Sequence, residues 1–237
     1  MSKFYIQIVL FLLNIFVYVN NETLAANPAP RKVKSPKLNI RCSTPEEIYE
    51  QNKHLLCTDP KEIKNAVELM NEAVIHLVYH ATNKDGYELC KKDNSCNMIS
   101  YKKKHDDHTN VEKTEYIVSG SNNYSEIITN IWNPDHLHFF EIISVKKGTT
   151  VFVMISANIN DQNPSNKEYK NTIIEKANLF KTDIDSENDI IKGRWKKTFV
   201  NISGYLIEKK DECVDITFVE SMDEHDSIYH MFKNALS

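Results

Sequence analysis

Four consecutive residues, His105-Asp106-Asp107-His108, put borderline and hard metal ligands into one short span. A zinc site needs converging geometry and usually a ligand from a distant part of the chain, whereas four adjacent polar groups ordinarily make a solvated charge run. No metal is expected here, and a metal-dependent enzyme using His105 and His108 would have to carry the ion in near-stoichiometric amounts. His136 and His138 offer the same ligand type, but alternate positions on a helical turn do not face each other, so core or surface roles are expected. The five cysteines are Cys42, Cys57, Cys90, Cys96 and Cys213, an odd number that leaves at least one unpaired. Cys90 and Cys96 flank a short polar loop and could close it as a disulfide; free thiols behaving as small buried hydrophobes are the alternative. None stands in a recognisable nucleophile setting. G-x-S-x-G, P-loop, H-E-x-x-H and dinucleotide patterns are all missing, and five glycines leave little material for phosphate-cradling loops, so no catalytic residues and no cofactor are expected.

Arg194 follows the leader arginines Arg31 and Arg41 and is the one later residue able to offer a bidentate fork to a phosphate. Trp195 beside it and Tyr205 in the next predicted strand could supply aromatic faces to a choline-type cation. An exposed loop arginine is the alternative.

The chain has 237 residues, enough for one large domain with a substantial core, and a net charge of -4 without a single-sign patch that would suggest nucleic acid. Lys3, the apolar run from Phe4 to Val19 and the small residues at Ala25 and Ala26 read as a secretory signal peptide over 1–26; an uncleaved anchor is the alternative, but Gln7 and Asn14 interrupt a run already short for a spanning helix. Residues 27–43, rich in Pro and Lys without apolar periodicity, are expected to be a flexible leader. The domain then occupies 44–237. Thr44-Pro45-Glu46-Glu47 and Asp59-Pro60-Lys61-Glu62 read as capping boxes, and the second opens a helix with Ile63, Val67, Met70, Val74, Leu77 and Val78 as its apolar stripe, ending near Ala81.

After the Asp85-Gly86 turn, 86–90, 98–104 and 111–120 read as short strands, and 121–132 as a helix with Ile127, Ile128, Ile131 and Trp132 inward. Ile142–Val145 and Thr149–Ala157 are spaced to pair as a hairpin across Lys146-Lys147-Gly148. A helix is expected around 167–180. In 198–208 one face is read as Val200, Ile202, Gly204 and Leu206, and in 214–220 as Val214, Ile216 and Phe218, both alternating as half-buried antiparallel strands do. A closing helix over 227–236 places Ile228, Met231, Phe232 and Ala235 on one side. This order describes an α+β domain with helices packed on a curved sheet.

The stretches "STPEEIYEQNKHLLCTDPKEIKNAVELMNEAVIHLVYHATNKDGYEL", "YKKKHDDHTNVEKTEY", "NPSNKEYKNTIIEKANLFKTDIDSENDIIKG" and "KKTFVNISGYLIEKKDECVDITFVESMD" resemble the fam-a (PYST-A) multigene family of rodent malaria parasites. The resemblance implies a START-like helix-grip, in which a long C-terminal helix crosses a curved antiparallel sheet around a lipid tunnel. It further implies a secreted or exported carrier, in the parasitophorous vacuole or host erythrocyte, that binds phospholipid, with phosphatidylcholine the leading class, makes transient membrane contact and works as a monomer. Against the family's pattern the chain looks shortened between Phe140 and Thr149 and curtailed after Ser237, so weak binding and slow transfer are expected. The candidate tunnel wall is Val151, Val153, Ile155, Val200, Ile202, Leu206, Val214, Ile216, Phe218 and Phe232, with ordinary core packing as the alternative for each. A shortened, non-transferring member acting as a secreted interaction protein, or a product without function, is the other overall reading.

If the amino terminus is a signal peptide, mass spectrometry of secreted material should find a chain starting near Ala26 or Asn27. An intact Met1 product held in membranes would identify an anchor instead.

Overall fold

The computed structural model describes residues Phe4–Ile6, 59–94, 97–132, 141–146, 148–163, 170–183, 186, 188–194 and 196–223. The expected closing helix, Phe232, Trp195, His136, His138, Cys42, Cys57, Cys96 and the leader lie outside them. Strand β1 is Phe4–Ile6 and helix α1 is Pro60–Thr82. The strands β2 (Glu88–Asp93), β3 (Met98–Lys104) and β4 (Asn110–Ser119) form a meander, followed by α2 (Tyr124–Trp132) and the β5 (Glu141–Lys146) to β6 (Thr149–Met154) hairpin. A small pair, β7 (Asn158–Asn160) and β8 (Lys181–Asp183), precedes the single turn α3 (Asn188–Ile191). The long strands β9 (Lys196–Lys209) and β10 (Cys213–Asp223) follow.

The main sheet runs β2-β3-β4-β10-β9-β6-β5, every neighbouring pair on that path antiparallel. β1 lies beside it, parallel to β9 at Lys196–Thr198. This is the expected α+β class. The hairpin forms where the apolar spacing put it, with Ile143 opposite Val151 and Lys146 opposite Thr149, and Gly148 supplies the positive φ of 77° that its turn needs.

α1 starts as its sequence dictates. Asp59 Oδ1 accepts from Lys61 N–H at 2.9 Å and Pro60 takes a first-turn position whose missing N–H costs nothing. The buried face differs from the expected stripe: it is Ala66, Leu69, Ala73, Leu77, His80 and Ala81, with Met70, Val74 and Val78 half-buried along its edge. Three alanines on the contact line let the helix backbone come close to the sheet, and the larger side chains are thereby pushed to the flanks. Hydrophobicity alone, which favours Val and Met over Ala, misplaces the stripe by about one residue.

Both sides of the sheet are buried. Towards α1 lie Val111, Val151, Val153, Ile155, Ile202, Leu206 and Val219; towards α2 lie Phe152, Met154, Val200, Tyr205, Ile207, Val214, Ile216 and Phe218. Consequently 198–207 of β9 is buried without interruption, where half-burial was expected, while β10 does alternate from Val214 to Phe218. The expected face of β9 also breaks at a bulge. Ser221 pairs with Ile202 and Met222 with Val200, so the register steps over Asn201. The extra residue reverses the parity of the strand, so Val200 points to the α2 side and Ile202 to the α1 side.

Residues 170–180 carry no α-helix, contrary to the expectation, but a 3-10 turn at Glu175–Asn178. Asn171 overrides the helical period. Its Oδ1 accepts from the N–H groups of Ile173 (3.0 Å) and Ile174 (2.8 Å), its own N–H donates to Asn178 Oδ1, and Asn178 Nδ2 returns to the Asn171 carbonyl. So held, Ile173, Ile174, Ala177 and Phe180 fill the core beside α1.

Leu77 is fully buried between α1 and the sheet, so Leu77→Ala should cost about 2 to 5 kcal/mol in a urea titration. Gly204→Ala should be at least as severe, since an added Cβ would sit 2.0 Å from the Phe152 carbonyl oxygen of the neighbouring strand. A loss under about half a kcal/mol at Leu77 would mean that α1 is not packed.

Candidate functional site

The polar groups of the β3–β4 loop are committed to local partners. Asp106 Oδ1 accepts from the N–H groups of His108 (2.8 Å) and Thr109 (2.7 Å), and the His108 amide leads the interactions that hold its carboxyl down to about 2. Asp107 pairs with Lys104 at 2.9 Å, and His105 Nε2 donates to the Thr172 carbonyl at 3.1 Å. The four side chains do not converge, and no group of three or more His, Cys, Asp or Glu able to hold a metal occurs among the described residues. The same loop borders a polar hollow of about 400 Å³, lined by Asp106, Asp107, His108, Lys170, Asn201 and Met222 among others.

Arg194 is exposed and paired with Asp189 at 3.0 Å, while its backbone N–H donates to the Asp189 carbonyl, so it caps α3. Tyr205 is 1% exposed and packs on Phe218 with ring centroids 4.8 Å apart. At a rise of about 3.3 Å per residue, nine residues of strand place it about 30 Å from Lys196, so Arg194 and Tyr205 cannot close on one headgroup. Of the candidate wall, Val151, Val153, Ile155, Ile202 and Leu206 face α1, whereas Val200, Val214, Ile216 and Phe218 face α2 beside Tyr205. A lipid wall must lie on one side. The α1 side is packed by the helix and by Ile173, Ile174, Ala177 and Phe180, and the α2 side is buried to a similar degree.

On that side α2 is nine residues, about 13 Å long, and brings Ile127, Ile128, Ile131 and Tyr124 against apolar side chains spread over β4, β10, β9 and β6. The few polar groups there are paired. Ser100 and Thr114 hydroxyls are 3.1 Å apart, and Tyr124 and Thr150 hydroxyls 2.7 Å apart.

A second polar group of residues, which the sequence reading missed, sits where α1 ends. Lys113 is 1% exposed, donates to the Asn83 carbonyl at 2.8 Å, lies 3.5 Å from Glu115 and stands over the Tyr87 ring at 4.4 Å. A cation at a helix C-terminus is favourable, and the aromatic ring and carboxylate compensate for its lost water. Burial nevertheless pushes its ammonium down, against Glu115. His80, 3% exposed, shares a 2.9 Å hydrogen bond between Nδ1 and the Tyr87 hydroxyl. Its position three residues after Leu77 on the buried face was the available signal. Cys90 and Cys213 are free thiols, and Asn201, which heads an N-x-Ser pattern, is buried with its amide on Ser221.

No family model matches the chain, and no curated protein matches it. Among solved structures it is similar to human StAR-related lipid transfer protein 5, with 13% identity over 73% of this chain and 91% of that one and a TM-score of 0.39. It is also similar to human STARD10 (10% identity, 68% and 70% covered, TM-score 0.33) and to the lipid transfer and protein localization domain of human StarD13 (15% identity, 68% and 87% covered, TM-score 0.32). The fold class rests on the chain's own strand order and helices. No helix among the described residues is long and apolar enough to cross a membrane.

His80 makes stability depend on pH. Burial first, then the charges of His105, Lys103, His76 and Lys113, lowers its pKa from 6.5 to about 4. The folded state therefore holds His80 neutral while the unfolded chain protonates it, and its contribution is complete above pH 6.5 and is lost as pH falls towards 4. The loss of stability between pH 7 and pH 4.5 should be smaller in His80→Gln than in the parent. Equal slopes would show that His80 does not titrate with unfolding.

Proposed function

We propose that the chain is a lipid-binding protein whose apolar ligand is taken up on the α2 side of the sheet. The observation that carries this reading is the run of large apolar side chains on that face, Phe152, Met154, Val200, Ile207, Ile216 and Phe218, each shielded from water yet spread over a surface wider than the nine-residue α2. Desolvation is the driving force: an acyl chain moved from water to such a face gains about 25 cal/mol per Å² of apolar surface. Few polar groups are then required, and those present fix orientation. The resemblance to the fam-a family and its helix-grip supports the same class and makes phosphatidylcholine the first phospholipid to test. It also supports a secreted or exported monomer that meets membranes transiently. Neither chemistry on the ligand nor nucleic-acid binding forms part of this reading.

Because the resemblance implies a shortened member, slow transfer is expected. Phospholipid should co-purify with the folded protein, and fluorescent phosphatidylcholine should move between vesicles at a rate above the protein-free control but well below that of a family member with the additional strands. A cooperatively folded protein that carries no lipid and leaves the control rate unchanged would overturn the reading and favour an interaction protein.

A further inference from the structure

Among the described residues, a polar row crosses the α2 side of the sheet. Lys102 pairs with Glu112, Glu112 with Glu220, Glu220 with Ser203 and Ser203 with Met154, residue by residue across β3, β4, β10, β9 and β6. Alternation fixes where these side chains point: Ser203 shares parity with Tyr205 and Ile207, and Glu220 with Ile216 and Phe218, all of them on the α2 side. The row passes from solvent to interior. Lys102 and Glu112 are exposed and paired at 3.3 Å, whereas Glu220 is 8% and Ser203 0% exposed.

Buried hydroxyls elsewhere on this face bond one another, as Ser100 does with Thr114 and Tyr124 with Thr150. Ser203 is different: its Oγ is fully buried and has no hydrogen-bond partner. An unsatisfied buried hydroxyl is costly and rare in native folds, so a position that retains one beside a buried carboxyl calls for an explanation. Alanine would fill the same space without the penalty. The two groups are complementary to a single ligand atom, since a hydroxyl can donate its proton to the Glu220 carboxyl and accept the proton of Ser203.

We propose that Ser203 and Glu220 form the recognition point for a hydroxyl group on the buried end of a lipid. This rests on the lipid-binding reading but not on phosphatidylcholine as the ligand, whose quaternary ammonium has no proton to donate. The row then sets polarity: apolar chain against Phe152, Phe218 and Ile216, hydroxyl at Ser203. Sites built to hydrogen-bond a hydroxyl discriminate strongly against an analogue without it, because their own polar groups are then left buried and unpaired.

The experiment compares dodecan-1-ol, its methyl ether and dodecane by displacement of a polarity-sensitive fluorescent probe from the full chain, with Ser203→Ala and Glu220→Met as variants. The alcohol should bind about tenfold or more tightly than the ether to the parent protein, and the preference should fall to within about threefold in Ser203→Ala, whose thermal midpoint should not drop. Equal binding of alcohol and ether by the parent, or an undiminished preference in Ser203→Ala, would overturn the inference while leaving lipid binding in place. Failure of all three probes to bind would overturn the lipid reading itself, and this assignment with it.

Discussion

A single sheet buried on both faces needs its central strands to be apolar on both sides, and β9 meets that requirement by alternation, with a bulge at Asn201 that switches the side of the residue before it. Beyond it Ile202 and Leu206 serve one core and Tyr205 and Ile207 the other by ordinary alternation, and the bulge reverses the parity so that Val200 joins Tyr205 and Ile207. A backbone unit stepped over in mid-sheet would be expensive if left unsatisfied. It is not left so: Asn171 Nδ2 donates to the Asn201 carbonyl at 2.8 Å, Ser156 N–H donates to the Val200 carbonyl at 2.8 Å, and Val200 N–H donates to Ser156 Oγ at 2.9 Å. These bonds also explain why 170–180 is not helical. Asn171 is committed to the bulge and to its own Asx turn, so the chain beyond it must present Ile173 and Ile174 to the core from an irregular backbone.

The second fixed point is electrostatic. Where α1 ends, its last turn is tied down by Lys113 below and by Tyr87 beside it, while Glu62 near its start accepts a 2.6 Å hydrogen bond from Thr182 on β8. The helix is thus held at both ends by polar contacts and along its length by close packing of small residues. Removing the charge compensation of Lys113 would leave a buried ammonium with only a carbonyl and aromatic faces, a far less favourable state.

The elements with a clear period were legible. The capped start of α1, the β2–β4 meander, the hairpin at Gly148 and the parity of β10 follow from local chemistry that tertiary contacts do not overrule. What escaped the sequence was decided at long range. Alanine ranks low as a core residue, so the contact line of α1 was hidden behind Val and Met; the bulge at Asn201 depends on Ser221, Ser156 and Asn171, none adjacent to it; and a lysine in "VEKTEY" reads as a solvated position unless the carbonyl of Asn83, 30 residues away, is known to lie beneath it. For the site, the apolar composition of the wall was readable, but its division between two faces was not, because it depends on the register of β6 and β10 against β9 and, for Val200, on the bulge at Asn201.

That division constrains how an amphiphile could sit. On the proposed lipid-binding reading, a ligand on the α2 side would meet Phe152, Met154, Ile207, Ile216 and Phe218, and its polar end would be satisfied along the row that runs from Lys102 and Glu112 at the solvated margin to Glu220 and Ser203 inside. A charged headgroup would be better served at the margin, where water and Lys102 remain available, since burying a charge costs far more than burying a hydroxyl. A neutral hydroxyl would be better served inside. On the proposed lipid-binding reading, the gradient of polarity along this row would sort ligand ends by charge through β-sheet register, without the arginine and aromatic cage at which the sequence hinted.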